Sequence, residues 1–383
     1  MRLPPASSSA RNCARSCIAS LAGQAASTST GWKPRSKPIA SPASRQAHRH
    51  CPKIRVQTPP SDRDWLAAAA RLSQRGRPLS RPNPSVGCIV VKDGHVVGRG
   101  WTQAGGRPHA EAMALAQAGE AALGSEVYVT LEPCAHDSER GPACADILAS
   151  AKPARVVIGT ADPDPRTAGK GIERLRAAGI AVELVGDAAS RGSLAGYLVR
   201  ANFGRPHVTL KLALSLDGKI ARPDGESRWI TSEAARAHVH ARRAQSDAIL
   251  VGGGTWRSDK PRLDVRLPGL EDRSPQRVVL TRGVPLDGVK IINAPGQIDR
   301  LAGVQYLYVE GGGQAAASFL AADLVDRLEI YTAPIVIGEG RDALGAIGLE
   351  RLAEAHGRWT LAERRQLGSD GFAAYERHRP PAA

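Results

Sequence analysis

The sequence predicts an α/β protein of two unlike domains behind a basic leader, and three observations carry that prediction. From residue 61 onward, short β-branched runs alternate with Ala-rich or amphipathic runs, the pattern of a layered α/β architecture. One segment, residues 107 to 144, gathers a His, a Glu and two Cys. Beyond residue 206, a strand that runs into a Gly-rich turn and then a helix start occurs twice.

Length and composition bound the reading. At 383 residues the chain has room for two or three domains of about 150 residues each. No apolar run approaches the roughly 20 residues needed to span a bilayer. The net charge of +15 is unevenly placed: residues 1 to 60 hold ten Lys or Arg and no acidic residue, and the remaining 323 carry 42 basic against 37 acidic side chains. A body at +5 suits a phosphorylated small substrate or cofactor as well as nucleic acid. Residues 1 to 60 are rich in Ser, Ala, Arg and Pro without hydrophobic periodicity, and are predicted to be disordered. They read either as a dispensable upstream extension of the reading frame or as a transit peptide. The six cysteines, at 13, 17, 51, 88, 134 and 144, have no disulfide-framework spacing, which fits a reducing compartment. The three in the leader are not expected to bind metal.

Taken in order, an amphipathic helix is predicted over Trp65 to Ser73, then a Pro-broken loop, Arg81 to Gly87. A strand at Cys88 to Lys92 enters a hairpin turn at Asp93-Gly94. Helix 109 to 119, strand 126 to 131, helix 144 to 151, strand 155 to 159, helix 172 to 178 and strand 180 to 185 close the first domain. After Arg205-Pro206, the alternating run His207 to Leu214 opens a second domain. A Ser or Thr near 231 can cap the basic helix 233 to 244. Strand Ala248 to Val251 runs into Gly252-Gly253-Gly254-Thr255, and strand Tyr306 to Val309 runs into Glu310-Gly311-Gly312-Gly313 ahead of helix 314 to 322. A strand, a Gly turn and a helix N-terminus can cradle phosphate, so the repeat is consistent with a dinucleotide site, although neither turn is a complete Gly-x-Gly-x-x-Gly.

The chemistry concentrates in His109, Glu111, Cys134 and Cys144. One imidazole and two thiolates make a three-ligand zinc site whose fourth tetrahedral position stays open for water. Water bound there titrates near pH ~7 and becomes a nucleophile, and Glu111 is the proton carrier beside it. His-x-Glu followed by Pro-Cys and a second Cys is the signature of zinc-dependent nucleobase deaminases. The ligands are expected at helix starts, where backbone N–H groups favour thiolate.

Six motifs together resemble one family, the bifunctional riboflavin-biosynthesis deaminase–reductases, over about residues 61 to 375. They are Pro82-Asn83-Pro84-Ser85-Val86-Gly87, Pro108-His109-Ala110-Glu111, Leu131-Glu132-Pro133-Cys134-Ala135-His136, Leu210-Lys211 through Ser215-Leu216-Asp217-Gly218-Lys219, Trp229-Ile230-Thr231 and Val309-Glu310-Gly311-Gly312. The resemblance implies a cytidine-deaminase-like three-layer domain at 61–205 and a dihydrofolate-reductase-like domain at 206–383. It implies zinc on His109, Cys134 and Cys144, Glu111 as proton shuttle, and Asn83 and His136 facing the deaminase substrate, a phosphoribosyl pyrimidine. For NADPH it implies Ala213, Trp229, Thr255, Asp259 and the turn Gly312, Gly313, Gln314, Ala315, Ala316, Ala317 and Ser318. For the reductase substrate it implies Ser227, Arg243, Leu263, Arg266 and Glu310, the two arginines acting as phosphate forks. A cytoplasmic homo-oligomer without nucleic-acid or membrane partners is expected, organellar if the leader is a transit peptide.

The chain departs from the family pattern in three places. Nine residues separate Cys134 from Cys144 where eight are usual, and Asp137 stands where a second His often follows. Lys260 replaces an acidic residue after Asp259. Between Val278 and Glu310 the chain has about half the usual length, as though a strand and a helix were missing, which leaves a deaminase with a degenerate reductase as the alternative. A nucleic-acid deaminase is a remoter reading, because such enzymes usually place two residues between the cysteines and the body lacks interleaved basic and aromatic stripes. A zinc scaffold without turnover has no use for Glu111.

Overall fold

The computed structural model describes residues 59–136, 139–283 and 286–379. Apart from its last two prolines, the basic leader lies outside the described residues, as does Asp137. Among the described residues no helix is long and apolar enough to cross a membrane.

The first half begins with helix α1 (Asp62–Ser73), three residues earlier than its apolar periodicity suggests. Ser61 caps it in a reciprocal box with Asp64, so the polar first turn is held by the cap rather than by packing. Strands β1 (Gly87–Lys92) and β2 (His95–Trp101) form the expected hairpin, with Asp93 and Gly94 both at positive φ. Then follow α2 (Ala110–Ala118), β3 (Glu126–Val129), α3 (Cys144–Ala151), β4 (Arg155–Ile158), α4 (Lys170–Ala177) and β5 (Ala181–Leu184). Two helices follow that the sequence reading lacks, α5 (Ala188–Ser193) and α6 (Ala195–Phe203). Their glycines and serines blur the helical period. What fixes them is the Asp187 cap on Ser190 and the packing of Gly196 on the Tyr306 ring.

The strands form one sheet in the order β2-β1-β3-β4-β5, with β1 antiparallel to both neighbours and β3, β4 and β5 parallel. Period-2 alternation divides β1 between two cores. Cys88 and Val90 meet Ala114 of α2, Leu148 of α3 and Leu175 of α4, whereas Ile89 and Val91 meet Leu66 and Ala69 of α1. These are the three expected layers. Gly98 and Gly100 of β2 let α2 lie directly on the sheet: a Cβ on Gly100 would stand 2.0 Å from the Ala110 carbonyl oxygen. Gly100→Ala is therefore expected to lift the first turn of α2, at a cost of about 1–3 kcal/mol, and to lower bound zinc. Thermal melts paired with metal analysis check this, and a parental melt would sink it.

The second half contains β6 (His207–Leu214), β7 (Lys219–Ala221), α7 (Glu233–Arg243), β8 (Ala248–Gly252), α8 (Gly253–Asp259), β9 (Gln276–Leu280) and β10 (Lys290–Ile292). It continues with β11 (Tyr306–Val309), α9 (Gly313–Ala321), β12 (Arg327–Thr332), β13 (Arg341–Asp342), β14 (Trp359–Leu367) and β15 (Asp370–Arg377). Eight strands make one sheet in the order β10-β9-β8-β11-β6-β12-β15-β14, parallel up to β12 and closed by an antiparallel hairpin. Ala316 and Phe319 of α9 pack one face, and Ala235 and Val239 of α7 pack the other. The shortened stretch after Val278 has not lost its strand. β10 pairs with β9, and only a 3-10 turn, Pro295–Arg300, stands in for a helix, with Ile298 fully buried in the core. Lys260, the third departure, ends α8 in the left-handed conformation.

Candidate metal centre and reductase cleft

His109 is the N-cap of α2, Cys144 is the first residue of α3, and Cys134 lies in the loop after β3. The expectation of ligands at helix starts thus holds for two of the three. Cys134 still meets a helix start, because the Cys144 N–H donates to its sulfur at 3.2 Å. His109 Nδ1 is 3.1 Å from Cys144 Sγ and 3.6 Å from Cys134 Sγ, and the three donor atoms lie within 4.8 Å of one another. The Cys144 thiol, donating to Cys134, holds the Cys134 thiol down to about 4 against the effect of burial, and the same contact, together with burial, raises Cys144. A sulfur pair that shares one proton beside an imidazole is a donor set suited to zinc, so the residues fit the ion. Glu111, in the first turn of α2, is 3% exposed. Burial pushes its carboxyl above the ordinary range while His109 pulls it back.

A further residue, Glu132, escaped the sequence reading. Its carboxylate is buried and accepts four backbone N–H groups, from Asp162 and Gly169 on one oxygen and Gly171 and Ile172 on the other. Gly171 is pressed on the Pro133 carbonyl, where a Cβ would stand 2.1 Å away. The turn that carries Cys134 is thereby pinned to the start of α4, a link across more than thirty residues that no local pattern announces. Glu132→Ala strands these buried donors and is expected to cost about 3 kcal/mol and to reduce zinc content. Zinc at parental stoichiometry in a parental melt would refute this.

Asn83 and His136 lie close to segments of the chain that carry the ligands. Asn83 lies over Gly106, whose added Cβ would sit 2.5 Å from the Asn83 Cγ, three residues before His109. His136 Nδ1 is buried and has no hydrogen-bond partner among the described residues.

In the second half, β8 and β11 are neighbours, so their two Gly turns meet at the C-terminal ends of parallel strands. A Cβ on Gly252 would lie 3.4 Å from Ala315 Cβ, and one on Gly312 would lie 3.5 Å from Thr255 Oγ1. No side chain caps α9. From its third residue the helix turns the expected cofactor segment inward: Ala315, Ala316 and Ala317 are buried, Ala316 within the core, and Ser318 Oγ donates to the Ala315 carbonyl. Gly312, Gly313, Gln314 and Ser318 keep accessible surface. Ala213 on β6 is half-buried, Ser227 is exposed, and Trp229 is 63% exposed with the Arg236 guanidinium 4.7 Å from its ring centre. Asp259 lies at the far end of α8, with its carboxylate accepting from Ser258 Oγ.

Two of the residues expected at the reductase substrate have side chains engaged within the protein. Arg243 is not a free fork: Nε and Nη2 donate to the two Glu310 oxygens at 2.6 and 2.9 Å, and Nη1 donates to the Asp264 carbonyl. In this arrangement Arg243 holds Glu310 in place. Leu263 is 4% exposed and packs with Ile249, Val251 and Val279, which leaves its backbone, at φ +56, as the part that can face a ligand. Arg266 keeps its fork half exposed, 3.5 Å from Asp264, at a cavity of about 510 Å³ that Arg262 shares. Lys211, quoted above only within a motif, joins Glu310: burial lowers its ammonium below the ordinary lysine range, and Glu310 supports its charge.

The fold and the two sites define a class, a metal-dependent deaminase joined to a nucleotide-dependent reductase. Comparison with known proteins makes this particular. Residues 59–160 match the cytidine and deoxycytidylate deaminase zinc-binding region, and residues 206–294 and 297–372 match the RibD C-terminal domain. The chain is 38% identical to the riboflavin biosynthesis protein RibD of Escherichia coli, over 81% of this chain and 97% of that one. It is 37% identical to RibD of Mycobacterium tuberculosis, over 80% and 94%. Among solved structures, Acinetobacter baumannii RibD superposes with a TM-score of 0.72 at 34% identity, covering 83% of this chain and 99% of that one. The diaminohydroxyphosphoribosylaminopyrimidine deaminase/5-amino-6-(5-phosphoribosylamino)uracil reductase of Thermotoga maritima does so at 0.73 and 29%, with the same coverage. The chain belongs to the RibD family, the bifunctional zinc-dependent deaminases and NADPH-dependent reductases of riboflavin biosynthesis.

Proposed function

We propose that residues 61–205 deaminate diaminohydroxyphosphoribosylaminopyrimidine and that residues 206–383 reduce the ribosyl side chain of 5-amino-6-(5-phosphoribosylamino)uracil to ribityl. The observation that carries the first half is the convergence of His109, Cys134 and Cys144 with buried Glu111 beside them. A zinc ion held by these three ligands supplies a water activated near neutral pH. Glu111 accepts a proton at its carboxylate and delivers it to the departing ammonia, a task matched to a carboxyl raised toward neutrality by burial. Asn83 and the unpartnered His136 Nδ1 orient the pyrimidine and its ribosyl phosphate. In the second half the α9 N-terminus, with Gly312 and Gly313, receives a cofactor phosphate, and Thr255, Ala213 and Trp229 border it. Lys211 and Glu310 face the ribosyl group, and Arg266 takes the substrate phosphate.

The intact eight-stranded sheet supports an active reductase over a degenerate one. The nine-residue spacing of the two cysteines and the fused second domain support a free small substrate over nucleic acid, and a cytoplasmic homo-oligomer is part of this reading. Purified protein given deaminated intermediate is expected to oxidise NADPH; no consumption would leave a deaminase alone. Salt-sensitive retention on immobilised nucleic acid by protein lacking residues 1–60 would instead favour the nucleic-acid reading.

A further inference from the structure

The described residues pack as one compact unit, and the two halves meet along a polar seam. On the reductase side it is built from the strand starts, Asp247 before β8 and Gln305-Tyr306 at β11. The Asp247 carboxylate accepts the N–H groups of Gln305 and Tyr306, and the Gln305 carbonyl accepts the His207 N–H. The Gln305 backbone is thus held from both sides, and its side chain, 6% exposed overall, reaches across the seam. Gln305 Nε2 donates to the Pro82 carbonyl at 2.6 Å.

Pro82 precedes Asn83. The loop of residues 77–83 is clamped at further points from the reductase half: Arg81 donates to the Asp247 carbonyl, Arg273 donates to the Arg77 carbonyl, and the Arg77 guanidinium lies 3.3 Å from the Tyr306 ring centre. On its other side the loop abuts the approach to the metal centre, since the Gly105 N–H donates to the Leu79 carbonyl and Asn83 rests on Gly106. A continuous path runs from Gln305 through Pro82 and Asn83 to Gly106 and His109.

We propose that Gln305, a residue of the reductase half, is a positioning residue for the deaminase: its hydrogen bond to the Pro82 carbonyl sets where the Asn83 amide stands over the pyrimidine site. The inference rests on the reading of Asn83 as substrate-facing. It assigns to the reductase sheet a part in the first reaction as well as the second. The seam bond is short and partly buried, and without it the Pro82-Asn83 peptide is held on one side only, by the Asn83 N–H bond to the Ser80 carbonyl, so the Asn83 side chain would shift. Substrate binding would weaken while the metal and Glu111, carried by α2 and α3, stay in place.

The test uses the full chain loaded with zinc. Gln305→Leu and the near-isosteric Gln305→Glu, which lacks the amide donor, are compared with Asn83→Ala in deaminase and reductase assays with parallel zinc analysis. Loss of one partly buried hydrogen bond predicts a deaminase KM raised about 3- to 10-fold in both Gln305 variants, with kcat, zinc content and the reductase kcat/KM near parental values. Asn83→Ala is expected to raise the same KM, and Asn83→Ala combined with Gln305→Leu to fall short of the product of the single effects. An unchanged KM in both Gln305 variants beside a raised one in Asn83→Ala overturns the inference alone. An unchanged KM in Asn83→Ala overturns the reading of Asn83 and the inference with it. Zinc loss or failure to fold in both Gln305 variants overturns it in favour of a purely structural seam.

Discussion

Glu111→Gln is expected to retain zinc and to lower the deaminase kcat by about 10²- to 10⁴-fold, the usual worth of a positioned general acid and base. The reason is local. Glu111 stands in the first turn of α2, two residues past His109, and is almost completely buried, so bulk water is a poor substitute for it as proton carrier. The amide preserves shape and packing but cannot take up the proton. Ammonia release reads the loss and metal analysis reads the retained zinc. Reduction of supplied deaminated intermediate should continue at the parental rate, because the Gly turns and Glu310 belong to a separate sheet. Deamination within about tenfold of the parent would refute the shuttle role.

Arg243→Ala is expected to produce the largest loss of stability in the reductase half, about 3–5 kcal/mol, because it leaves the Glu310 carboxylate buried and uncompensated. Both side chains of this pair are only 11% exposed, and the bond is bidentate. Burial alone would raise Glu310, but Arg243 overcomes it and holds the carboxyl below the ordinary glutamate range. The folded pKa is therefore depressed, so the stabilisation is complete above the unfolded value of about 4.3 and disappears as pH falls through the lower folded value. NADPH oxidation should fall with the loss of Glu310 placement, while deamination persists. Arg243→Met combined with Glu310→Leu should recover much of the stability and none of the reduction. A parental unfolding midpoint in Arg243→Ala would show that the pair is not what places Glu310.

The sequence by itself determined the elements of the first half up to β5, the strands β6, β8 and β11 with helices α7 and α9 of the second, and the residue types of the metal centre. Those rest on signals that are local: period-2 runs for β1 and β6, Pro ahead of α2, and a His-x-Glu and Pro-Cys pair whose residue types admit few other uses. It determined as well that two Gly turns follow strands, since a turn is written in a few adjacent residues. Only the tertiary structure decided what those residues face. The helical period places the Ala316 side chain in the core. Glu310, 67 residues from Arg243, pairs with its guanidinium. The packing of α6 on Tyr306, the clamp of Glu132 on the start of α4, 39 residues on at Gly171, and the reach of Gln305 to Pro82 across 223 residues all depend on distant partners. The physical reason is common to these cases. Propensity and motif fix what a residue can do over one or two turns of chain, whereas burial, pairing and the satisfaction of buried polar groups are set by whichever segments the sheets bring alongside.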